Sequence, residues 1–591
     1  MMTIPYRPMF APSTYGRLGI FGCLALLLCA SPWLIPAASA QEAAESATAA
    51  AGAPAQEDPL QQLFLDVVDV NIVNIDVYVT DRDNKPVLGL TADDFEIFEN
   101  GKPMTVSNFY AVENGVPTEE SGVEAVDPNV PDSVPDHLVE LKIPEDQRLH
   151  LIVFIDNFNI RPFNRNRVMR EVRLFLDRNT RPEDRVMLMS YNRSLKIEQE
   201  FTADPRLIGA GLRRLEKNTG YATIADNERD EVMDRIDESN DEFTALGQAR
   251  MYAESIANDL TFTVKSLKEM VDSLAGLPGR KAILHVSDGI PMIPGEDIFH
   301  YVEERFRNTT AINDAFTYDY SRRFTELTAS ANANRVSFYT IDAGGLRVAS
   351  FMDASKRGGV NRGPFIDTIN TQNLQNTLHF MADSTGGRAI VNRNRVLPAL
   401  NEVADDLRNY YSLGYSPGHS GDGRLYKLKV KVDRDDVKVR YRENYRDKSL
   451  ANRMSERTLA ALRFGYESNP LELSLDFGDA RPRQGDRHYL VPVYVRIPLS
   501  EITLVPQGEM HQGRVRLYFS AIDDRGGTSP VSEQTVPISI PTKDFPGALD
   551  REYVFTMELL MRQGNQRLAV GLRDDLGTDT SFVSRVVSVG A

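Results

Sequence analysis

Three aspartates stand where apolar runs stop: Asp156 after Leu149–Ile155, Asp288 just beyond Ala282–Val286, and Asp342 after Val336–Ile341. Each run reads as a central parallel strand covered on both faces. A carboxylate at the C-terminal end of such a strand opens into the crevice where α/β sheets bind ligands. Carboxylates gathered on one rim offer hard oxygen donors, the chemistry of a divalent cation site.

The elements that must hold these carboxylates alternate between strand and helix. A strand to Ile155 is followed by a helix near Asn166–Asp177, the strand VMLMSYN, an edge strand near LKIEQEF and the helix PRLIGAGLRRLEK. The strands AILHVSD and VSFYTID, a helix around Asn373–Ser384 and the helix LPALNEVADDLRNYY come later. This is the pattern of an α/β domain with a doubly wound parallel sheet. With the strands YSLGYSP, LYKLKVKVD and VKVRYR it spans 148–446. An acidic stretch within about 222–262, ADNERDEVMDRIDESNDEF, reads as a solvated insertion, and the helix Gln248–Leu274 behind it packs on the sheet.

Upstream, 61–112 reads as a small β module, with a hairpin signal at Asn100-Gly101. Residues 113–147 read as an acidic, Pro-rich linker. Downstream, a connecting helix over 447–465 leads to 466–591, where regularly spaced short strands predict a β-sandwich.

The chain has 591 residues, 42% of them apolar, and a formal charge of −17. So acidic a protein is a poor partner for nucleic acid. Residues 1–40 carry Arg7 and Arg17, an apolar run and Ala38-Ser39-Ala40, which predicts a signal peptide cleaved before Gln41 and an exported protein, periplasmic or extracellular. A membrane enters only through an uncleaved leader. A polar tether occupies 41–60. Cys23, Cys29 and Trp33 all lie in the leader, so the mature chain is expected to have no disulfide, thiol catalysis or thiolate metal site.

Several segments together resemble the secreted bacterial proteins related to the von Willebrand factor type A (VWA) domain. They are VNIDVYVTDRDNKPVLGLTADDFEIFENGKP, the strand ending at Asp156, LPGRKAILHVSDG, ADSTGGRAIVN and LRNYYSLGYSPGHSGDGRLYKLKVKV. The resemblance runs from about Phe64 to Tyr445. It implies a Rossmann-like fold that binds a protein partner, often through Mg²⁺ held by an Asp-x-Ser-x-Ser loop, a Thr and a later Asp. Asp156 matches the first position and Asp288 the later Asp, but Phe158 and Ile160 replace both Ser residues. Thr223 is the candidate Thr, and Asn159 the candidate replacement oxygen. Mg²⁺ demands near-octahedral oxygen coordination, so such a degenerate site is expected to bind it no tighter than about 1 mM.

Other chemistries find less support. A Mg²⁺-dependent phosphoryl-transfer hydrolase is the rival class, yet no second acid follows two residues after Asp156, and the His residues form no His-Glu-x-x-His pair. His285 reads as a core histidine, Asp342 as a turn or cap residue, and Gly386-Gly387 as a tight helix-to-strand turn. The expectation is a noncatalytic protein-binding or scaffold protein with no small-molecule substrate, whose partner is an unnamed protein. In the alternative, recognition is metal-independent and runs through the β domains.

Overall fold

The computed structural model describes residues 72–117, 148–218, 220–307, 310–347, 364–483 and 488–590. The expected leader and tether, and most of the expected linker, lie outside the described residues.

The chain begins with short strands: β1 (Val73–Thr80), β2 (Phe95–Glu99), β3 (Lys102–Met104), β4 (Asn108–Glu113) and β5 (Val116–Pro117). Asn100 and Gly101 take φ of 46° and 83°, the backbone of a two-residue hairpin between β2 and β3. A second such turn at Asn114-Gly115 joins β4 to β5, so sheet structure continues to Pro117, past the expected start of the linker at 113.

Six strands follow: β6 (Leu149–Asp156), β7 (Arg185–Tyr191), β8 (Leu195–Thr202), β9 (Arg280–Ser287), β10 (Val336–Asp342) and β11 (Arg388–Ile390). They form one sheet in the order β11-β10-β9-β6-β7-β8, parallel throughout except for the antiparallel edge β8. Its helices are α1 (Pro162–Asn179), α2 (Pro205–Leu215), α3 (Ala222–Glu238), α4 (Glu242–Ser273), α5 (Glu296–Phe306), α6 (Ser321–Ala333), α7 (Pro364–Ser384) and α8 (Leu397–Arg408).

The strand period of two explains why β6 is apolar throughout. Leu151, Val153 and Ile155 join a core with residues of α1, α2 and α8, while Ile152 and Phe154 join one with residues of α4, α6 and α7. Strand order reverses between β6 and β9, which creates a crevice outside their carboxyl ends. Between α7 and β11, Gly386 takes φ 75° in the expected tight turn, and a Cβ on Gly387 would lie 1.9 Å from the Phe338 carbonyl oxygen.

The acidic stretch is not a solvated loop. It forms α3, whose Val232, Met233 and Ile236 pack with Ile298, Phe299 and Val302 of α5, and whose Arg229 donates to Asp297 at 2.6 Å. The long helix α4 starts at Glu242, six residues before the expected Gln248. Asp241 sets that start by accepting the Thr244 N–H at 2.9 Å.

The strands β12 (Tyr410–Tyr415), β13 (Leu425–Val432), β14 (Lys438–Arg440) and β15 (Asn444–Arg446) correct the expected layout. Sequence order assigns them to the α/β domain, but they pair with the N-terminal strands instead. β12 inserts between β1 and β4, β14 pairs with β1, and β13 lies between β15 and β2. Ile75, Phe95 and Ile97 share one core with Tyr411, Leu413 and Val430. Neither segment could cover its apolar face alone, so the module closes only when the chain returns to it.

A helix α9 (Leu450–Phe464) follows, capped by Ser449 and ended by Gly465 at φ 64°. Its Met454, Ala461 and Leu462 pack on Tyr518, Ala569 and Phe582 of the last part of the chain. There β16 (Ser474–Phe477), β17 (Arg481–Pro482), β18 (His488–Pro498), β19 (Val505–Gln507), β20 (Met510–Asp523), β21 (Ser532–Pro541), β22 (Glu552–Arg562), β23 (Gly564–Asp574) and β24 (Thr580–Val589) form two antiparallel sheets. Val493, Ile497, Leu517, Leu568 and Val570 contribute to the core they share. The whole is a mixed α/β chain with several sheets. No described helix is long and apolar enough to cross a membrane.

Candidate functional site

At the end of β6 the backbone turns through Asn157-Phe158-Asn159-Ile160 into α1, which opens on Pro162. Asp156 is fully buried in this turn. Its Oδ1 accepts the Asn159 N–H at 3.0 Å, and its Oδ2 accepts Asn159 Nδ2 at 2.9 Å and Ser287 Oγ at 3.2 Å. Burial pushes its carboxyl up to about 6, against the pull of these donors. Both oxygens are therefore held by the protein itself.

Asp288, also buried, follows β9. Its Oδ2 accepts three donors: the Arg161 N–H at 3.0 Å, Arg161 Nη1 at 2.9 Å and Asn164 Nδ2 at 2.9 Å. Burial raises its carboxyl, with Arg161 opposing. The same guanidinium grips Asp226 of α3 with Nε and Nη2, both at 2.7 Å. The Asp288 N–H in turn donates to the Asn159 carbonyl at 2.9 Å, tying the two loops together. A fixed organic cation thus lies against the later Asp, where the resemblance implies a metal.

Phe158 and Ile160 are packing positions. The Phe158 ring stacks on Tyr221 at 4.6 Å with an interplanar angle of 6°, and Arg193 stands 5.3 Å from its centroid. Ile160 is fully buried in the core beneath α1. Neither offers a ligand oxygen.

Of the four expected ligands, the structure brings Asp156, Asn159 and Asp288 together. Thr223 is the correction. It lies exposed on the first turn of α3, and the α3 residue that reaches the loop is Asp226. The residues of α3 turned toward the loop are Ala222, Ala225, Asp226 and Arg229, spaced three and four apart, and Thr223 falls outside that stripe. Arg161, Asn164 and Asp226 are the residues that sequence reasoning missed. Arg161 directly follows the loop, but nothing in its neighbours names Asp226, which sits in a stretch that reads as solvated.

The remaining sequence candidates have structural roles. Asp342 accepts the Gly344 N–H at 2.8 Å and Gln375 Nε2 at 2.7 Å, as a turn residue does. His285 is buried and stacked on Phe154, as a core histidine is, but neither ring nitrogen has a hydrogen-bond partner, so it is not a satisfied one, and burial lowers it to about 3. Among the described residues, His419, Asp422 and Asp447 place ligating atoms within 4.8 Å of one another. That imidazole already bonds Asp447 through Nδ1 at 2.8 Å and Glu99 through Nε2 at 3.1 Å.

No protein-family model matches the chain, and no curated protein matches it. Solved structures do. An aerotolerance-related membrane protein from Bacteroides fragilis is 12% identical, covers 44% of this chain and 98% of its own, and has a TM-score of 0.22. A von Willebrand factor type A protein from Catenulispora acidiphila is 9% identical, covers 75% and 66%, and scores 0.21. The pilus adhesin SpaC from Lactobacillus rhamnosus GG is 8% identical, covers 85% and 58%, and scores 0.23. At these scores the functional reading rests on the residues themselves.

Proposed function

We propose that this is an exported, noncatalytic protein-binding protein whose six-stranded domain is of VWA type, with an adhesion site that no longer depends on metal. The observation that carries the reading is Arg161, which supplies positive charge to Asp288 and Asp226 at the strand-end crevice. With Asp156 satisfied by Asn159 and Ser287, the first-loop carboxylate is committed to holding the loop rather than to activating a water or a phosphoryl group. That weakens the hydrolase alternative.

The surroundings suit a protein ligand. Phe163, on the first turn of α1, is 79% exposed, Leu346 after β10 is 60% exposed, and Phe365 at the start of α7 is 62% exposed. These three exposed apolar side chains are the contacts this reading assigns to a protein ligand. The test is capture from the native envelope fraction by the mature chain, with and without EDTA, beside the variant Phe163→Asp/Leu346→Asp. Capture that survives EDTA and is lost in the variant supports the reading. Capture abolished by EDTA sinks it. Capture untouched by the variant but lost on deleting 466–590 moves recognition to the β domains.

A further inference from the structure

A second feature carries more chemistry than any sequence motif announces. Between the turn before β9, the end of α6 and helix α9 lies a cavity of about 560 Å³. Six basic side chains line it: Lys281, Arg335, Lys448, Arg453, Arg457 and Arg573. Among the described residues that line it, Glu456 is the one acid. In a chain of net charge −17, such a concentration of one sign has a local cause.

Part of this basic lining is engaged within the protein: Arg453 is not free, and Arg457 donates to Thr580 Oγ1 at 3.3 Å and lies over the Phe582 ring. Glu456 is bound to Lys448 Nζ at 2.7 Å, and Arg335 reaches Asp76 at 3.5 Å. Lys281 is buried, and its ammonium donates to two carbonyls, Leu277 at 2.6 Å and Gly279 at 3.2 Å, with no carboxylate among those bonds. Arg573 is only 6% exposed, and its Nε has no hydrogen-bond partner. The carboxylate it faces at 3.9 Å, Asp575, already accepts from Arg514 and Arg516. Buried cations are normally paired, and a buried donor normally finds an acceptor. Burial and the neighbouring Arg335 and Lys448 also work against the proton on Lys281.

We infer that this cavity binds a small, multiply charged anion bearing phosphoryl or carboxylate groups, a function beyond the protein-binding rim. Guanidinium forks match both groups in planar, bidentate geometry, which favours an oxyanion over a halide. The volume falls within the range of small-molecule sites, about 300–1,000 Å³. Leu277, Pro278 and Leu450 on the wall leave room for an apolar body. The acidity of the whole chain disfavours a long polyanion such as nucleic acid, whereas a small anion meets only the local field.

Calorimetric titration of the mature chain with inorganic phosphate, pyrophosphate and citrate, in about 0.15 M salt to limit surface electrostatics, tests the inference. Saturable binding of pyrophosphate or citrate is expected, and which of the two is tighter separates a phosphoryl from a carboxylate ligand. Arg457→Gln and Arg453→Gln should each weaken it by about tenfold, the loss of one charge-assisted contact. Arg573→Gln should do the same, and if it fails to fold the first two variants decide. Arg434→Gln, on the exposed surface, should leave binding unchanged. No saturable heat from any of the three probes up to 10-millimolar levels, roughly where specific small-anion binding ends, overturns the inference. So does binding that both Arg457→Gln and Arg453→Gln leave intact.

Discussion

Arg161 Nη1 lies 2.9 Å from Asp288 Oδ2, so a side chain of the loop itself sets positive charge beside that carboxylate, whose Oδ1 is buried with no hydrogen-bond partner. The guanidinium is 37% exposed, open enough to be replaced yet fixed by Asp226 on its other edge.

Removing it should expose a latent site. Arg161→Ala leaves Asp288 and Asp226 uncompensated, at about 1 to 3 kcal/mol, less than a fully buried pair because the partner is part-exposed. Thermal melts should show about 10 mM Mg²⁺ restoring part of that loss in the variant by mass action, while the wild type shifts by no more than about 3 to 6 °C. A wild type with micromolar Mg²⁺ affinity would falsify the arginine-substituted reading.

Restoring hydroxyls at the loop should fail. Phe158→Ser removes a stacked, buried ring and Ile160→Ser a fully buried side chain, so each should cost at least about 2 kcal/mol in denaturant unfolding. Neither should gain a Mg²⁺-dependent melting shift. A variant that is tolerated within about 1 kcal/mol and responds to Mg²⁺ would show that only two side chains separate this rim from a metal site.

Arg280 joins the parallel sheet to the β module. Its guanidinium lies 3.6 Å from the Tyr410 ring centroid, while Nη2 donates to Tyr78 at 2.9 Å and Nη1 to the Leu407 carbonyl at 3.0 Å. Arg280→Met should cost about 2 to 4 kcal/mol in urea unfolding. Arg280→Lys should not recover it, since an ammonium cannot stack and reach both acceptors. Full rescue by Lys would reduce the contact to simple charge.

His419 gives the β module a pH dependence. Burial works against its charge, but hydrogen bonds to Asp447 and Glu99 hold its pKa above the ordinary value, and Asp422, Tyr426 and Tyr445 also face the ring. A raised folded-state value means the stabilisation is fully present below the unfolded pKa of about 6.5 and is lost as pH rises through the folded one. The melting gap between wild type and His419→Gln should therefore shrink from pH 6 to pH 9. A gap constant over that range would mean the imidazole acts by packing alone.

Much of this molecule was legible in one dimension. The apolar run ending at Asp156 could only be a strand covered on both faces, because a solvated face would have alternated. The Gly386 turn, the Asn100-Gly101 hairpin and the packing role of His285 follow from backbone conformation and burial that residue type largely dictates. What the sequence could not decide was pairing across distance. Tyr410–Tyr415 is buried on both faces, but nothing in its sequence says which strands flank it, and the partners lie some three hundred residues upstream. Asp226 likewise looks solvated in a run of acids until α3 folds and presents it to Arg161. The basic cavity shows this most fully. Its six basic side chains come from four separate stretches of an acidic chain, and only tertiary packing, which gathers residues without regard to sequence order, brings them to one wall.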